Sequence, residues 1–392
     1  MDKSPIQMHN ANQVVQCNGS VMMQLQTPPS DTGDDSHNQA KLEGRAFHQV
    51  AEMILKSFVE PDGALASETH VVGTMSKDNI VITGEIYEAA RDFANDVLKF
   101  CNGTGTLRKM NIEQRIDTGH LFPGSYGIAD VWVYDEVNNH LVVWEGKFGH
   151  GIVEVFEDYQ LLSYVSGILE QLGIDGHQEL SLKVTMKIVQ PRGFHIDGPI
   201  REWSEIAGNL RGYFNIMKVA FNDAYVDPKC KANPYCKKCY ARYACDANQQ
   251  AAMNAMDYIG EVFDNSLAGN NLAFELRLLK RAKDAIENRY TGLVAQATSE
   301  IRGGELVPGF GLKQGIGRKR WKREIDVDEV IMMGDMMGQD LRKPAELITP
   351  AQVINKGVDE SVINLYSETP MTSLKLVDDS KSAKARQTFR KI

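Results

Sequence analysis

No stretch of this chain approaches the roughly 20 consecutive apolar residues a helix needs to cross a bilayer, so no membrane partner is expected for its 392 residues. The opening MDKSPIQMHNANQVVQC lacks the apolar core of a secretory signal, which points to the cytoplasm. An excess of positive charge is also missing: 43 Lys and Arg stand against 52 Asp and Glu, a net charge of −9. That argues against a uniformly basic surface, but not against nucleic-acid binding, which depends on local clustering. No internal repeat is present, which removes solenoids and propellers. Cysteine is scarce, six residues in all, yet four of them (Cys230, Cys236, Cys239 and Cys245) share one short stretch. In a reducing compartment such clustering reads as metal ligation before it reads as disulfides.

What remains is ordinary globular material. A hydrophobic fraction of 43% and a charged fraction of 24% suit one large domain or two smaller ones with a substantial core. Residues 1–40 are polar, with a flexible piece expected at TPPSDTGDDSHNQ. Apolar residues Phe47, Val50, Ala51, Ile54 and Leu55 recur at helical spacing from Leu42 onward. A second helix is expected over EIYEAARDFANDVLKF, then a strand at KMNIEQRID and a hairpin over GIADVWVYDEVNNHLVVWEGKFG. Helix signals return at DYQLLSYVSGILEQLG, followed by a strand in LSLKVTMKIVQ that stops at Pro191. REWSEIAGNLRGYFNIMKVAFND reads as one helix leading into the cysteines, and LAFELRLLKRAKDAIENRYTGLVAQATSEI as a long amphipathic helix ended by Gly303-Gly304.

The hairpin carries the chemistry. With Asn138-Asn139 as a two-residue turn, Val137 pairs with His140 and Asp130 with Lys147. Glu145 lies two residues from Lys147 and shares its face, while Val131, Val133 and Trp144 turn to the other. Two carboxylates and an ammonium side by side suit phosphodiester hydrolysis. Hard oxygens hold Mg²⁺ or Mn²⁺, the metal polarises phosphate and activates water, and the lysine orients water or offsets developing charge. A solvent-facing Glu–Lys pair would give the same short pattern. A one-residue slip would scatter the trio.

In the cysteine stretch the spacing is Cys230-x₅-Cys236-x₂-Cys239-x₅-Cys245. A C-x₂-C pair clamps a soft metal or a cluster, all four thiols suit zinc, and free cysteines in a loop are the plain alternative. Cys101, at the end of an expected helix, reads as an ordinary thiol. Further on, Arg318, Lys319, Arg320, Lys322 and Arg323 surround Trp321. That combination suits single-stranded DNA or, equally, a solvated basic loop.

Together, G-I-A-D followed by W-E-G-K resembles the metal-binding core of PD-(D/E)xK nucleases of the RecB-like branch. Gly44-Arg-Ala-Phe-His48 matches that branch's G-x-x-x-H, and Gln160-Leu-Leu-Ser-Tyr164 its Q-x-x-x-Y, both in the right chain order. The resemblance implies that His48 joins Asp130 and Glu145 as a metal ligand, and that Gln160 and Tyr164 contact substrate or order the site. Glu113, on the strand before, would add a carboxylate behind the ligands. Iron–sulfur members of that branch, similar to AddB and the CRISPR-associated RecB-like exonucleases, place one cysteine before the histidine motif and C-x₂-C-x₅-C after the core. Here that implies a [4Fe-4S] cluster on Cys17, Cys236, Cys239 and Cys245, with zinc and Cys230 as the alternative.

The likeness reaches further. V-V-Q-C-N-G-S, I-V-Q-P-R, P-G-F-G-L-K-Q-G-I-G-R-K-R-W-K-R and I-T-P-A-Q-V resemble a phage-encoded family of RecB-like proteins. The implied fold is α/β, a PD-(D/E)xK restriction-endonuclease-like core (a mixed sheet flanked by helices) with a helical C-terminal extension. The implied layout is a nuclease domain over 1–250 closed by a cysteine-bound cluster, a helical extension over 251–304 and a C-terminal region over 305–392. The implied activity is metal-dependent DNA cleavage, from an end, in phage recombination or processing within the bacterial host cytoplasm. Partners would be DNA and a phage single-strand-binding or recombination protein. The alternative is a catalytically inactive DNA-binding accessory protein that retains the fold.

Overall fold

Near-continuous buried runs in the central strands and an alternating edge strand build a five-stranded mixed sheet, and the helices are the covers it requires. The structure is a computed structural model that describes residues 4–29, 36–59, 66–193, 195, 197–259, 269–312, 332 and 336. Its main elements are helices α1 (Ala11–Gln16), α2 (Ser20–Gln26), α3 (Ser36–Val59) and α4 (Gly84–Thr104), then strands β1 (Asn111–Asp117), β2 (Tyr126–Asp135) and β3 (His140–Gly146). Helix α5 (Tyr159–Leu172) leads to β4 (Lys183–Val189) and β5 (Ile200–Ile206). Helices α6 (Arg211–Val226), α7 (Asp246–Ile259) and α8 (Gly269–Arg302) follow. Residues 1–310 form one compact unit.

The sheet runs β1-β2-β3-β4-β5. Its pairs are antiparallel except β3 with β4, the connection for which α5 supplies the crossover. On one face Val131, Val133, Val142 and Trp144 pack with Phe47, Val50, Phe93 and Val97 of α3 and α4 in the main apolar core. Trp144 is fully buried, and its indole N–H donates to Asp96 Oδ2 at 2.8 Å. Asp96 also takes Lys187 at 3.0 Å, so both the buried indole and this half-buried ammonium are satisfied. The opposite face receives α5, whose Leu161, Leu162, Val165 and Ile168 are wholly buried. Asp158 caps α5 by accepting from the Leu161 amide, and Gly173 closes it in the left-handed conformation.

The hairpin differs from the sequence expectation in register. Asp135 pairs with His140 and Val131 with Trp144, so the connection is the four-residue loop 136–139. Asp135 is the reason: its carboxylate accepts from the amides of Val137 and Asn138 and from Asn138 Nδ2. Asn139 then takes φ +48°, an αL position that asparagine tolerates. The shift is two residues, an even number, so the expected faces survive.

A second difference lies before α6. Residues 200–206 form β5 rather than helix, because Arg201 and Trp203 are buried while Glu202 and Ser204 are exposed, a period of two that pairs with β4. The N-terminal segment is also more structured than its polarity suggests, with Ile6, Met8 and Ala11 fully buried. In the piece expected to be flexible, Ser36–Gln39 opens α3, and residues 30–35 lie outside the described residues. The basic run Lys313–Arg323 with Trp321 lies outside them too. Among the described residues no helix is long and apolar enough to cross a membrane.

Candidate metal centre and cysteine cavity

Three adjacent strands each place one carboxylate at the same level of the sheet. In the β1–β2 register Glu113 falls opposite Asp130, since Ile112 pairs with Val131 and Gln114 with Ala129. In the β2–β3 register Asp130 falls opposite Glu145, the next step beyond Val131 with Trp144. Glu113 has φ +48°, an uncommon backbone state for a non-glycine residue. Helix α3 brings His48 to this row: its Nδ1 lies 3.3 Å from Asp130 Oδ1 and 3.8 Å from Glu113 Oε1. One ligand atom each of His48, Glu113 and Asp130 falls within a 4.8 Å group, a spacing able to hold a metal ion. Sequence reasoning set Glu113 behind the ligands, whereas the structure sets it among them. Its register opposite Asp130 is the signal that could have found it.

Glu145 completes the row from β3. It is buried; its Oε1 receives Lys147 Nζ at 2.6 Å and Gln160 Nε2 at 2.8 Å. Its second oxygen, Oε2, is buried and has no hydrogen-bond partner. A buried carboxylate oxygen left so is costly, and a cation would satisfy it. Lys147 also donates to Gln160 Oε1 at 3.1 Å, and Gln160 Nε2 reaches Tyr164 Oη at 2.9 Å. The structure therefore brings Asp130, Glu145, Lys147, His48, Gln160 and Tyr164 into one locality. Lys147 is not opposite Asp130, as the two-residue turn required; it lies just beyond β3 and reaches back to Glu145.

Gly146 is the hinge of this arrangement. Its amide donates to Asp130 Oδ2 at 2.6 Å, and a Cβ there would meet Phe47 Cε1 at 2.6 Å. Gly44 of the histidine motif differs, since a Cβ there would meet nothing within 4 Å, and no packing in the structure explains it.

The electrostatics of the row suit a cation. Burial and then the charge of Asp130 push Glu113 and Glu145 up to about 7. Burial opposes the charge on His48, but Asp130, Glu145 and Glu113 outweigh it and raise the imidazole to about 9. Protonated His48 thus does without metal part of what a divalent ion would do. Burial likewise opposes Lys147, and Glu145 raises it. A donor set of hard carboxylates with one imidazole fits Mg²⁺ or Mn²⁺.

Five cysteines line one cavity on the compact unit: Cys17, Cys230, Cys236, Cys239 and Cys245. Cys17 ends α1, and the four others lie between α6 and α7. Backbone amides point at the sulfurs, Lys231 N to Cys17 Sγ at 3.3 Å and Asn233 N to Cys236 Sγ at 3.4 Å. Such N–H···S bonds favour thiolates. A hydrogen bond from Cys230 lowers Cys17 to about 7 and Cys245 to about 6, and Cys230 itself is raised by those two contacts. Cys17 and Cys230 therefore both reach the cavity. Cys101 is buried elsewhere, on the core-facing side of α4.

A family model matches residues 8–381, from the turn before α1 through the C-terminal region. The chain belongs to the DUF2800 family, described as proteins of unknown function. No curated protein matches it. The matched range spans the residues of both the carboxylate row and the cysteine cavity. Asn12 and Asp158, which tie α1 to α5, were missed from sequence. Asp158 carried a signal, an acidic cap immediately before the apolar run of α5; Asn12 carried none.

Proposed function

We propose that this DUF2800 protein is a metal-dependent DNA nuclease of the RecB-like PD-(D/E)xK type, acting from DNA ends. The observation that carries the reading is Glu145 Oε2, a buried carboxylate oxygen with no partner, in line with Asp130 and Glu113 and beside His48. Asp130 and Glu145, with His48 and Glu113, would hold Mg²⁺ or Mn²⁺. Bound there, the metal supplies Lewis-acid polarisation of the phosphate and lowers the pKa of water. Lys147 keeps its proton beside Glu145 and offsets charge developing on the phosphate. Gln160 fixes that ammonium through its amide oxygen while its own N–H groups grip Glu145 and Tyr164. The protein would serve phage recombination or DNA processing in a bacterial cytoplasm, with DNA and a phage single-strand-binding or recombination protein as partners.

The cysteine cavity fits a soft metal centre by the chemistry of its donors, thiols supplied with backbone N–H groups. We assign it a [4Fe-4S] cluster on Cys17, Cys236, Cys239 and Cys245, with zinc as the rival occupant. Such a centre would fasten the N-terminal segment to the end of the nuclease core, closing a long loop. A substrate path is supported by charge. Lys231, Lys237, Lys238 and Arg242 fall among the cysteines with no carboxylate from Cys230 to Cys245, in a chain of net charge −9.

Digestion of end-labelled single- and double-stranded DNA with Mg²⁺ or Mn²⁺ tests the reading. Cleavage by the wild type and its loss in Glu145→Ala and Lys147→Ala support it. Undiminished cleavage in Glu145→Ala would remove the site.

A further inference from the structure

Two hydrogen bonds from one side chain join the cysteine cavity to the proposed active site. Asn12 lies on α1, and Cys17 caps the C-terminal end of that helix. Its Nδ2 donates to Asp158 Oδ2 at 3.0 Å, and its Oδ1 accepts from the Tyr159 amide at 2.9 Å. Asp158 is the N-cap of α5, and its other oxygen accepts from Leu161 N at 2.9 Å. The Asn12 amide thus clasps the first turn of α5 by both ends, satisfying one of the orphan amides there. Gln160, the next residue, holds Lys147 and Glu145. The two functional ends are close: Asn12 to Cys17 is roughly 7.5 Å of helix rise.

The other end of α1 is fixed to the cysteine segment. Lys229 N donates to Asn18 Oδ1 at 2.8 Å, Gly19 N to Lys229 O at 3.2 Å, and Lys231 N to Cys17 Sγ at 3.3 Å. Gly19 permits this docking, because a Cβ there would meet the Lys229–Cys230 backbone at 2.6 Å. The path Cys17–α1–Asn12–Asp158/Tyr159–Gln160–Lys147 is therefore continuous in covalent links and hydrogen bonds.

We propose that Asn12 is a positioning residue through which docking of Cys17 at the cysteine cavity sets the first turn of α5, and with it Gln160, Lys147 and Glu145. Its kinetic consequence rests on the nuclease reading; its structural consequence does not. Small displacements of positioning groups cost rate steeply. The effect falls on kcat, because Asn12 touches no substrate.

The test compares Asn12→Ala, Asn12→Asp, Asp158→Asn and the Asn12→Asp/Asp158→Asn pair, with hydrogen exchange over residues 158–162 and cleavage kinetics as readouts. Asn12→Asp sets a carboxylate against Asp158. The double variant exchanges donor and acceptor, so both bonds can form again, and asparagine caps as well as aspartate. We expect Asn12→Ala and Asn12→Asp to lose protection at the Tyr159 amide by about tenfold or more and to lower kcat by about tenfold or more, with KM within about twofold and cysteine-bound metal retained. The double variant recovers both. Cys17→Ser loosens the same amide. Unchanged protection in Asn12→Ala or Cys17→Ser, or no recovery in the double variant, overturns the inference. A wild type that cleaves nothing removes the nuclease reading and leaves the exchange data to judge Asn12. A cleaving wild type with unaltered kcat and exchange in Asn12→Ala removes Asn12 alone.

Discussion

The ammonium of Lys147 stands 2.6 Å from Glu145 Oε1, and the Gln160 amide 2.8 Å from that same oxygen, while Glu145 Oε2 has no partner at all. Two donors share one oxygen where each oxygen had room for its own. Glu145 is thereby held fast by one side and left unsatisfied on the other, next in register to Asp130. A carboxylate kept so destabilises the metal-free protein and favours a cation.

Glu145→Gln should separate stability from function. The amide keeps an acceptor for Lys147 and removes one of three neighbouring negative charges. In chelator the variant is expected to melt at or above the wild type, by a gain of about 1 kcal/mol. Mn²⁺ at about 100 times its Kd stabilises the wild type by roughly 2.7 kcal/mol, and this gain disappears in the variant along with at least a hundredfold of cleavage. Equal Mn²⁺ stabilisation of the two proteins would show that the ion binds elsewhere.

The carboxylate row and His48 should contribute less to the stability of the metal-free protein as pH rises from acid toward 9. Glu113 and Glu145 go from 4.5 to about 7, and His48 from 6.5 to about 9. Each raised group binds its proton more tightly when folded. Its contribution is full below the unfolded value and is lost as pH passes the folded one. The carboxylate part is lost between 4.5 and about 7, and the His48 part between 6.5 and about 9. Metal binding must displace these protons, so Mn²⁺ affinity rises over the same range. Urea melts with and without Mn²⁺ at three pH values measure both. A flat metal affinity between pH 6 and 9 (roughly the window these shifts span) would contradict the assignment of His48 and the two glutamates.

Anaerobically purified protein should be brown, absorbing near about 400 nm, the region of iron–sulfur charge transfer. Cys17→Ser, Cys236→Ser, Cys239→Ser and Cys245→Ser each abolish the colour. Cys230→Ser keeps it, since Cys17 is assigned as the fourth ligand. Colour lost in Cys230→Ser and kept in Cys17→Ser would exchange the two roles. A colourless protein with stoichiometric zinc would replace the cluster.

The elements of the site were legible where a period was strong. Phe47 through Leu55 marked α3, and the Val, Trp and Tyr content marked β2 and β3. The faces of Asp130 and Glu145 followed from parity alone and survived the two-residue change of register. The register itself was not legible, since it depends on Asp135 folding its carboxylate over the loop, a local competition that Asn138-Asn139 conceals. Strand β5 was hidden because Trp203 and Ile206 are three apart and mimic a helical stripe, until pairing with β4 decides for a period of two. The place of Asn12 could not be read at all. Its partners are 146 and 147 residues away, and nothing local distinguishes it from any polar residue on a short helix.

Gly146→Ala should damage the metal centre without touching a ligand. The new Cβ would lie 2.6 Å from Phe47 Cε1 and 3.0 Å from Cζ. Phe47 cannot yield cheaply: it is fully buried, stacked on Phe148 at 5.6 Å and edge-on to Phe93 at 6.1 Å. Overpacking of this kind costs about 1–3 kcal/mol. Relief requires α3 to move outward, and α3 carries His48 one residue from Phe47, edge-on to its ring at 5.1 Å. The alternative, a shift of β3, stretches the 2.6 Å bond from Gly146 N to Asp130 Oδ2. Either way a ligand leaves its place, so Mn²⁺ affinity falls about tenfold or more alongside stability. Phe47→Leu in the Gly146→Ala background makes room for the methyl group and should restore part of both, a coupling expected of residues in contact. Additive losses in the double variant, measured by urea melts and Mn²⁺ titration, would show that the methyl group is accommodated somewhere other than against Phe47.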